Sequence, residues 1–352
     1  MSSLLTHCPS RLRARAVQLR GALGCWLHER WRAECALHPA LSKATSIPWV
    51  GLCNRSEELR VGSSPDCRSC CWEHSSTLTV ARVFPRTGGR LLDVAARQWP
   101  FALCSDVPPA CATPLFSVIV PVAGRDRIPQ FEAVLKGLFA QSLRQFEVII
   151  VEHSSAPEYA AHCPRGVRYI HLQRGAGDAF NKSRAFNTGA RSAAGRLLLL
   201  HDADVLVPLD YLRSIVERLQ DRYDGLKPVR FIFYPSAVDS TETIQSSPVR
   251  LPRQVARVEQ NNPGISTAAT RAAYWAIGGH DERFEERGGD DNDFLDRLKT
   301  TRFFDGGFLP AIHLWHPTDP TLENSPRMKA FKSAQLRKPA SLRIAELTVP
   351  HP

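Results

Sequence analysis

Long apolar runs are missing from this 352-residue chain. A bilayer-crossing helix needs about 18–20 consecutive apolar residues, and no stretch supplies them, so no spanning segment is expected. The first 24 residues also lack the apolar core of roughly 7–15 residues that marks a secretory signal. The expectation is therefore a cytoplasmic protein with reduced thiols. Lysine is scarce, 8 residues against 37 Arg, which reads as GC-rich coding rather than phosphate recognition. Aromatic residues are 8% of the chain and sparse among its basic stretches, so no nucleic-acid partner is expected. With 43% hydrophobic and 23% charged residues, the chain has the apolar mass of a folded protein, which excludes disorder throughout.

What is present is unevenly distributed. The net charge is +10, but residues 1–113 carry 14 basic and 8 acidic side chains, and residues 331–352 carry 4 and 1. The stretch between them is nearly balanced, with 27 basic and 26 acidic residues. Basic ends leave room for peripheral contact with anionic lipid or an acidic acceptor. Nine of the ten cysteines precede residue 112. The spacings Cys25-x2-His28, Cys35-x2-His38 and Cys67-x2-Cys70-Cys71-x2-His74 resemble halves of zinc sites, so a structural Zn2+ is a candidate there. Composition and texture divide the chain into a Cys-rich basic region 1–113, a central domain 114–330 and a basic C-terminal tail 331–352. The Pro-rich stretch Asp106–Pro114 reads as the linker between the first two.

Residues 10–38 read as a helix, 40–113 as largely irregular with a short helix at 89–98. From residue 116 the pattern changes. Short apolar runs at 116–121, 146–151, 167–172 and 196–200 read as buried strands. Helical spacing falls at 128–141, 180–193 and 208–220. This alternation predicts an α/β sheet covered on both faces, with ligands at the carboxyl ends of its strands.

Four segments there carry chemistry. Asp202-Ala203-Asp204 follows a four-Leu strand, and in an extended segment residues i and i+2 point the same way. Their hard carboxylate oxygens suit Mg2+ or Mn2+. Gly278-Gly279-His280-Asp281-Glu282-Arg283-Phe284 leads to Gly288-Gly289-Asp290-Asp291-Asn292-Asp293. Asp290 and Asp291 stand in the first turn of a helix whose buried stripe is Phe294, Leu295 and Leu298. A carboxylate there could take a proton from a hydroxyl. The Gly288-Gly289 pair before these acids would let backbone approach a ligand closely. His313-Leu314-Trp315-His316 offers two imidazoles to one metal. Phe180-Asn181-Lys182-Ser183-Arg184, at a helix start, suits a nucleotide phosphate or ribose.

Taken in order, these motifs, with Ser117–Pro121 and Gly124-Arg125 before them, resemble those of the GT-A-fold glycosyltransferases. They are most similar to the β-1,4-galactosyltransferase and chondroitin-polymerase branch, with the related inverting family-two enzymes behind it. The resemblance covers about residues 115–320 and implies a Rossmann-like mixed sheet. It implies a UDP-sugar donor, with Pro121, Val122 and Arg125 lining the nucleotide pocket and Phe180 and Lys182 on uracil and phosphates. Asp202 would sit near ribose or donor sugar. Asp204, His316 and His313 would hold Mn2+ or Mg2+, Asp291 would be the general base, and Asp290 would contact the acceptor. The acceptor could be a glycan, a lipid-linked sugar or a peptide. Three departures stand out: Arg287 replaces the usual aromatic before the glycine pair, Asn292 replaces an acid, and 221–265 lacks the Trp-Gly hinge of a mobile lid. A nucleotide-sugar-binding protein without catalysis and a nucleotidyltransferase are the rival readings.

Overall fold

The computed structural model describes residues 22–38, 40–41, 48–175, 177–286, 288–317 and 325–348. Cys8, Arg287 and the first part of the helix expected over 10–38 lie outside the described residues.

A seven-stranded sheet forms the centre, in the order β13-β9-β12-β7-β4-β5-β6. Its parallel part is β4 (Phe116–Val122), β5 (Phe146–Ser154), β6 (Arg168–Gln173) and β7 (Leu197–His201). The antiparallel β12 (Ser266–Thr270) joins β7, and β9 (Gly225–Leu226) and β13 (Phe303–Phe304) complete that edge. All seven residues of β4 are buried, as expected for a strand covered on both faces. Alternation sorts its side chains. Val118 and Val120 join Phe131, Val134, Leu135 and Leu138 of the helix Ile128–Phe139. Ile119 joins Ala185, Phe186 and Ala190 of the helix Lys182–Ser192 on the opposite face. The α/β sheet covered on both faces is thus the one the sequence pattern implies.

A second, five-stranded sheet has the order β3-β11-β10-β14-β8. It comprises β3 (Ser76–Thr77), β8 (Val205–Leu206), β10 (Val229–Tyr234), β11 (Arg257–Gln260) and β14 (Leu309–His313). The stretch 221–265 is therefore built largely from β9, β10, the helix Ala237–Gln245 and β11.

Two boundaries of the sequence reading change. Residues 48–98 are built into the central fold, so this part of 1–113 shares its core with the domain that follows. Thr77 and Ser76 pair with Glu259 and Gln260 across β3 and β11. The buried Arg230 guanidinium donates to the Val50 and Leu52 carbonyls. Trp49, Val50, Leu91, Leu92 and Ala95 share one core with Phe231, Phe233 and Leu309. A stretch this short with scattered apolar residues buries them on its neighbour rather than in a core of its own. The helix read at 89–98 begins earlier, at Pro85, and ends at Gln98. At the other end, 331–348 is not a tail. Helices Pro326–Arg337 and Ala340–Thr348 dock on the helix Asp290–Leu298, where buried Arg343 meets Asp293 at 2.6 Å.

The expected Zn2+ site does not form among the described residues. Their cysteines are free thiols, and none shares a three-ligand cluster with His. Cys25 points into the core, where burial and the neighbouring Glu29 push its thiol up to about 11. Cys67 is buried, with its sulfur 3.0 Å from Ser64 Oγ. Among the described residues no helix is long and apolar enough to cross a membrane.

Removing residues 1–110 deletes β3 and the Pro85–Gln98 helix from the shared core. The truncated chain is expected to lose cooperative unfolding, followed by circular dichroism against urea; a cooperative transition at the full-length midpoint would contradict this integration.

Candidate functional site

The strand pairing explains how distant residues meet. The β8–β14 pairing sets Val205 opposite His313. The Leu314 N–H then donates to the Asp204 carbonyl at 2.8 Å, so the turn after β7 and the His-x-x-His segment are locked together. Asp204, His313 and His316 consequently converge, their ligand atoms all within 4.8 Å of one another. Asp204 is buried, with Oδ2 3.3 Å from His316 Nε2 and Oδ1 3.6 Å from His313 Nε2.

The donor set fits a divalent cation. His313 Nδ1 lies 3.1 Å from the Leu314 carbonyl and His316 Nδ1 2.9 Å from that of Pro317. A carbonyl only accepts, so each Nδ1 carries the proton and each Nε2 presents a lone pair toward Asp204. Burial depresses the His316 pKa, keeping that ring neutral. Asp204 Oδ1 is buried without a hydrogen-bond partner. Three acceptor groups facing one another call for a positive charge among them, and one carboxylate with two imidazoles suits Mn2+ among other divalent ions. Burial opposes the Asp204 charge, yet the adjoining Arg127 guanidinium helps hold its carboxyl below the ordinary range.

Asp202 and Asp204 do not point the same way. Residues 203–204 form a turn rather than an extended segment. Asp202 instead meets Lys182, whose Nζ is 2.8 Å from Asp202 Oδ1 and 3.2 Å from Asp291 Oδ2. Burial disfavours this ammonium, but Asp202, Asp291 and Asp290 outweigh it and raise its pKa well above the usual lysine range. Lys182 thereby joins the Asp-x-Asp turn to the start of the helix Asp290–Leu298.

The two acids on that helix differ. Asp290 is buried, and burial with the neighbouring Asp291 pushes its carboxyl up to about 6. Asp291 is raised by burial, with Lys182 pulling against the shift. Its carboxylate faces Gly264, where a side chain's Cβ would push the Asp291 carboxylate aside. Next to it, Ile265 adopts φ +69°. A β-branched residue in the left-handed region carries strain of about 1–3 kcal/mol, and such strain concentrates at functional sites.

Other residues settle differently from the expectation. Arg125 turns outward to Glu158 at 2.9 Å, whereas Arg127, at the end of the same short 3-10 turn, reaches Asp204 Oδ2 at 2.9 Å. Arg127 was not signalled by the sequence, because which arginine faces inward depends on how that turn closes. Pro121 and Val122 are buried at the end of β4. Phe180 is half-buried, its ring 6.1 Å from that of His153. The Gly278-Gly279 pair serves internal packing. At φ +85° and +64° the two glycines turn the chain so that His280 stacks on Phe294, ring centroids 4.1 Å apart. Asn187 accepts from the His280 N–H and donates to its carbonyl, both at 2.9 Å. His201, buried beside the Asp-x-Asp turn, is held neutral by burial with its pKa pushed down to about 4, and its ring contacts Ser266 Oγ and the Val205 carbonyl at 3.0 Å each.

Residues 117–308 match the profile described as Glycosyl transferase family 2. No curated protein matches the chain. Among solved structures, S. aureus TarS 1–349 in complex with UDP is similar at 14% identity, over 66% of this chain and 70% of that one, with a TM-score of 0.45. A mannosyltransferase from Pyrobaculum calidifontis, solved with GDP-Man and Mn2+, is similar at 16% identity, over 74% of this chain and 80% of that one, with a TM-score of 0.41.

Asp290 carries a pH signature. Its folded pKa of about 6 lies above the ordinary 3.8, so between those values the folded state binds more protons and stability falls as pH rises. Asp290→Asn is expected to flatten this slope and raise stability at pH 7 by about 1–3 kcal/mol. Denaturant titrations of both proteins at pH 4, 5, 6 and 7 check it; parallel slopes would contradict the raised pKa.

Proposed function

The chain belongs to glycosyl transferase family 2, and on that premise we propose that it transfers a sugar, with inversion, from a UDP-sugar to an acceptor hydroxyl. Its sheet is the GT-A arrangement, and it is a glycosyltransferase. The donor, the stereochemistry and the kinship with the β-1,4-galactosyltransferase and chondroitin-polymerase branch are our reading of the motifs. The observation that carries it is the meeting, at one sheet edge, of Asp202, Asp204, the two histidines, Lys182 and Asp291.

Asp204, His313 and His316 would hold Mn2+ or Mg2+, which when bound supplies positive charge against a diphosphate. Lys182 adds a second cation beside the Asp-x-Asp turn and suits a donor phosphate. Half-buried Phe180 offers apolar surface for the base, Pro121 and Val122 would back the nucleotide pocket from beneath at the end of β4, and Asp202 is within reach of ribose or sugar hydroxyls. Arg125 belongs to the nucleotide pocket in this reading only if its exposed pair with Glu158 opens.

Asp291 is the general base. It lies on a helix N-terminus, facing the space in front of Gly264, with Lys182 holding it ionised against the burial that would protonate it. As the acceptor oxygen forms its bond to the anomeric carbon, its proton passes to Asp291, and the bond from that carbon to the UDP oxygen breaks. Asp290, deeper and more readily protonated, is placed to hydrogen-bond the acceptor. The catalytic domain in this reading spans 114–330 and draws support from the segments on either side.

UDP release from a panel of UDP-sugars, with Mn2+ and with EDTA, tests the class and identifies the donor. Metal-dependent release from one sugar, lost in Asp204→Ala, is the expected result. A chain that neither releases UDP nor shows a metal-dependent thermal shift with UDP would overturn the reading. Asp291→Asn is expected to lower kcat by roughly 10²–10⁴-fold while UDP still binds, measured by calorimetry. Loss of binding equal to loss of turnover would remove Asp291 from the role of base.

A further inference from the structure

The helical stretch 22–37 has two apolar faces. Backbone bonds carry it through its junction, from the Glu29 N–H to the Cys25 carbonyl at 2.9 Å and from the Ala33 N–H to the Glu29 carbonyl at 3.0 Å. One face is docked: Cys25, Ala33, Ala36 and Leu37 are buried in the main core. The other is bare. Leu23 is 59% exposed, Trp26 50%, Leu27 52% and Trp31 55%. Leu23, Leu27 and Trp31 are spaced i, i+4, i+8, so they line one side of the helix, with Trp26 on its flank. Single exposed apolar residues are ordinary, but a continuous strip holding two tryptophans is not.

Charge indicates what covers it. Between residues 11 and 32 the sequence carries Arg11, Arg13, Arg15, Arg20, Arg30 and Arg32 against the single acid Glu29. Glu34, which would repel an anionic partner, is neutralised by Arg90 at 2.9 Å and Arg30 at 4.0 Å. Exposed tryptophan and leucine in an arginine-rich stretch of sequence are the composition of a helix that lies in a bilayer interface. Among the described residues no helix is long and apolar enough to cross a membrane, and one that docks its inner face on the protein body leaves only its outer face for a membrane surface.

We propose that this outer face seats the protein on a membrane surface rich in anionic phospholipid. Leu23, Trp26, Leu27 and Trp31 enter the headgroup boundary, and the arginines meet lipid phosphates. The buried inner face fixes the catalytic body to that surface. None of these residues belongs to the site at the sheet edge, so the proposal stands apart from the glycosyl-transfer reading.

The test is cosedimentation of the full chain with vesicles of phosphatidylcholine alone or mixed with phosphatidylserine, at low and at physiological salt. The wild type is expected to pellet with the mixed vesicles, more weakly at higher salt, and not with phosphatidylcholine alone. Trp26→Ser/Trp31→Ser and Leu23→Gln/Leu27→Gln are each expected to weaken binding by at least about tenfold. Arg11→Gln/Arg13→Gln should weaken it about 25-fold, at roughly fivefold per arginine near an anionic surface. Unaltered thermal unfolding and UDP release in solution would establish that these variants remain folded. No binding by the wild type, or equal binding by the tryptophan variant, would overturn the proposal. So would a wild-type dimer, seen by light scattering, that the tryptophan substitutions convert to monomer, since a second copy would then own the face.

Discussion

Lys182 presents one ammonium to Asp202 and Asp291 at once, at 2.8 and 3.2 Å, and the organisation of the candidate site depends on that contact. Half-buried carboxylates from segments nearly ninety residues apart would repel one another without it. With it, the turn after β7 and the helix Asp290–Leu298 can share one small space. The same requirement recurs nearby. Arg127 answers Asp204, while Arg297 and Arg343 divide the two oxygens of buried Asp293, each at 2.6 Å. Each acid is held by a cation from a different element, so the charges of the candidate site also stitch those elements together.

That stitching gives the flanking segments a part in the site. Arg343, on the last described helix, fixes Asp293, one helical turn from Asp290. Arg297 donates to the carbonyls of Ile277 and Gly279 at 2.6 Å each, tying the glycine turn to the same helix. At the other end of the chain, Asn54 donates to the Thr77 carbonyl and accepts from the Thr79 N–H at 3.0 and 2.7 Å, holding β3 where it pairs with β11. β11 in turn neighbours β10, whose Tyr234 stacks on His313 with ring centroids 4.7 Å apart. The metal-ligand candidates therefore rest on a sheet whose edge strand comes from the cysteine-rich segment.

Periodicity and residue type revealed much of this. Fully buried parallel strands read as continuous apolar runs, so β4, β5 and β7 were legible, as were the helices packed on them. Asp204, His313, His316, Lys182 and Asp291 were legible as candidates from residue type and position, and their separate roles only as what the family resemblance implies. The two boundaries were not legible. Apolar residues such as Trp49, Val50 and Leu91 follow no period across 48–98, and lysines and arginines at 332–343 look solvated until Arg343 is seen beneath the surface.

By itself the sequence determined the parallel strands β4 to β7, the helices packed on them and which residues are candidates for acid, base and metal-binding chemistry, because those depend on local spacing and side-chain type. Tertiary structure decided who faces whom. It selected Arg127 over Arg125, sent Asp202 and Asp204 to different partners through a turn, gave the Gly278-Gly279 pair to packing and left the cysteines apart. It also exposed the Trp26 and Trp31 face while burying the other side of the same helix. These outcomes depend on the closure of short turns and on burial against elements far away in the chain, which no local pattern encodes.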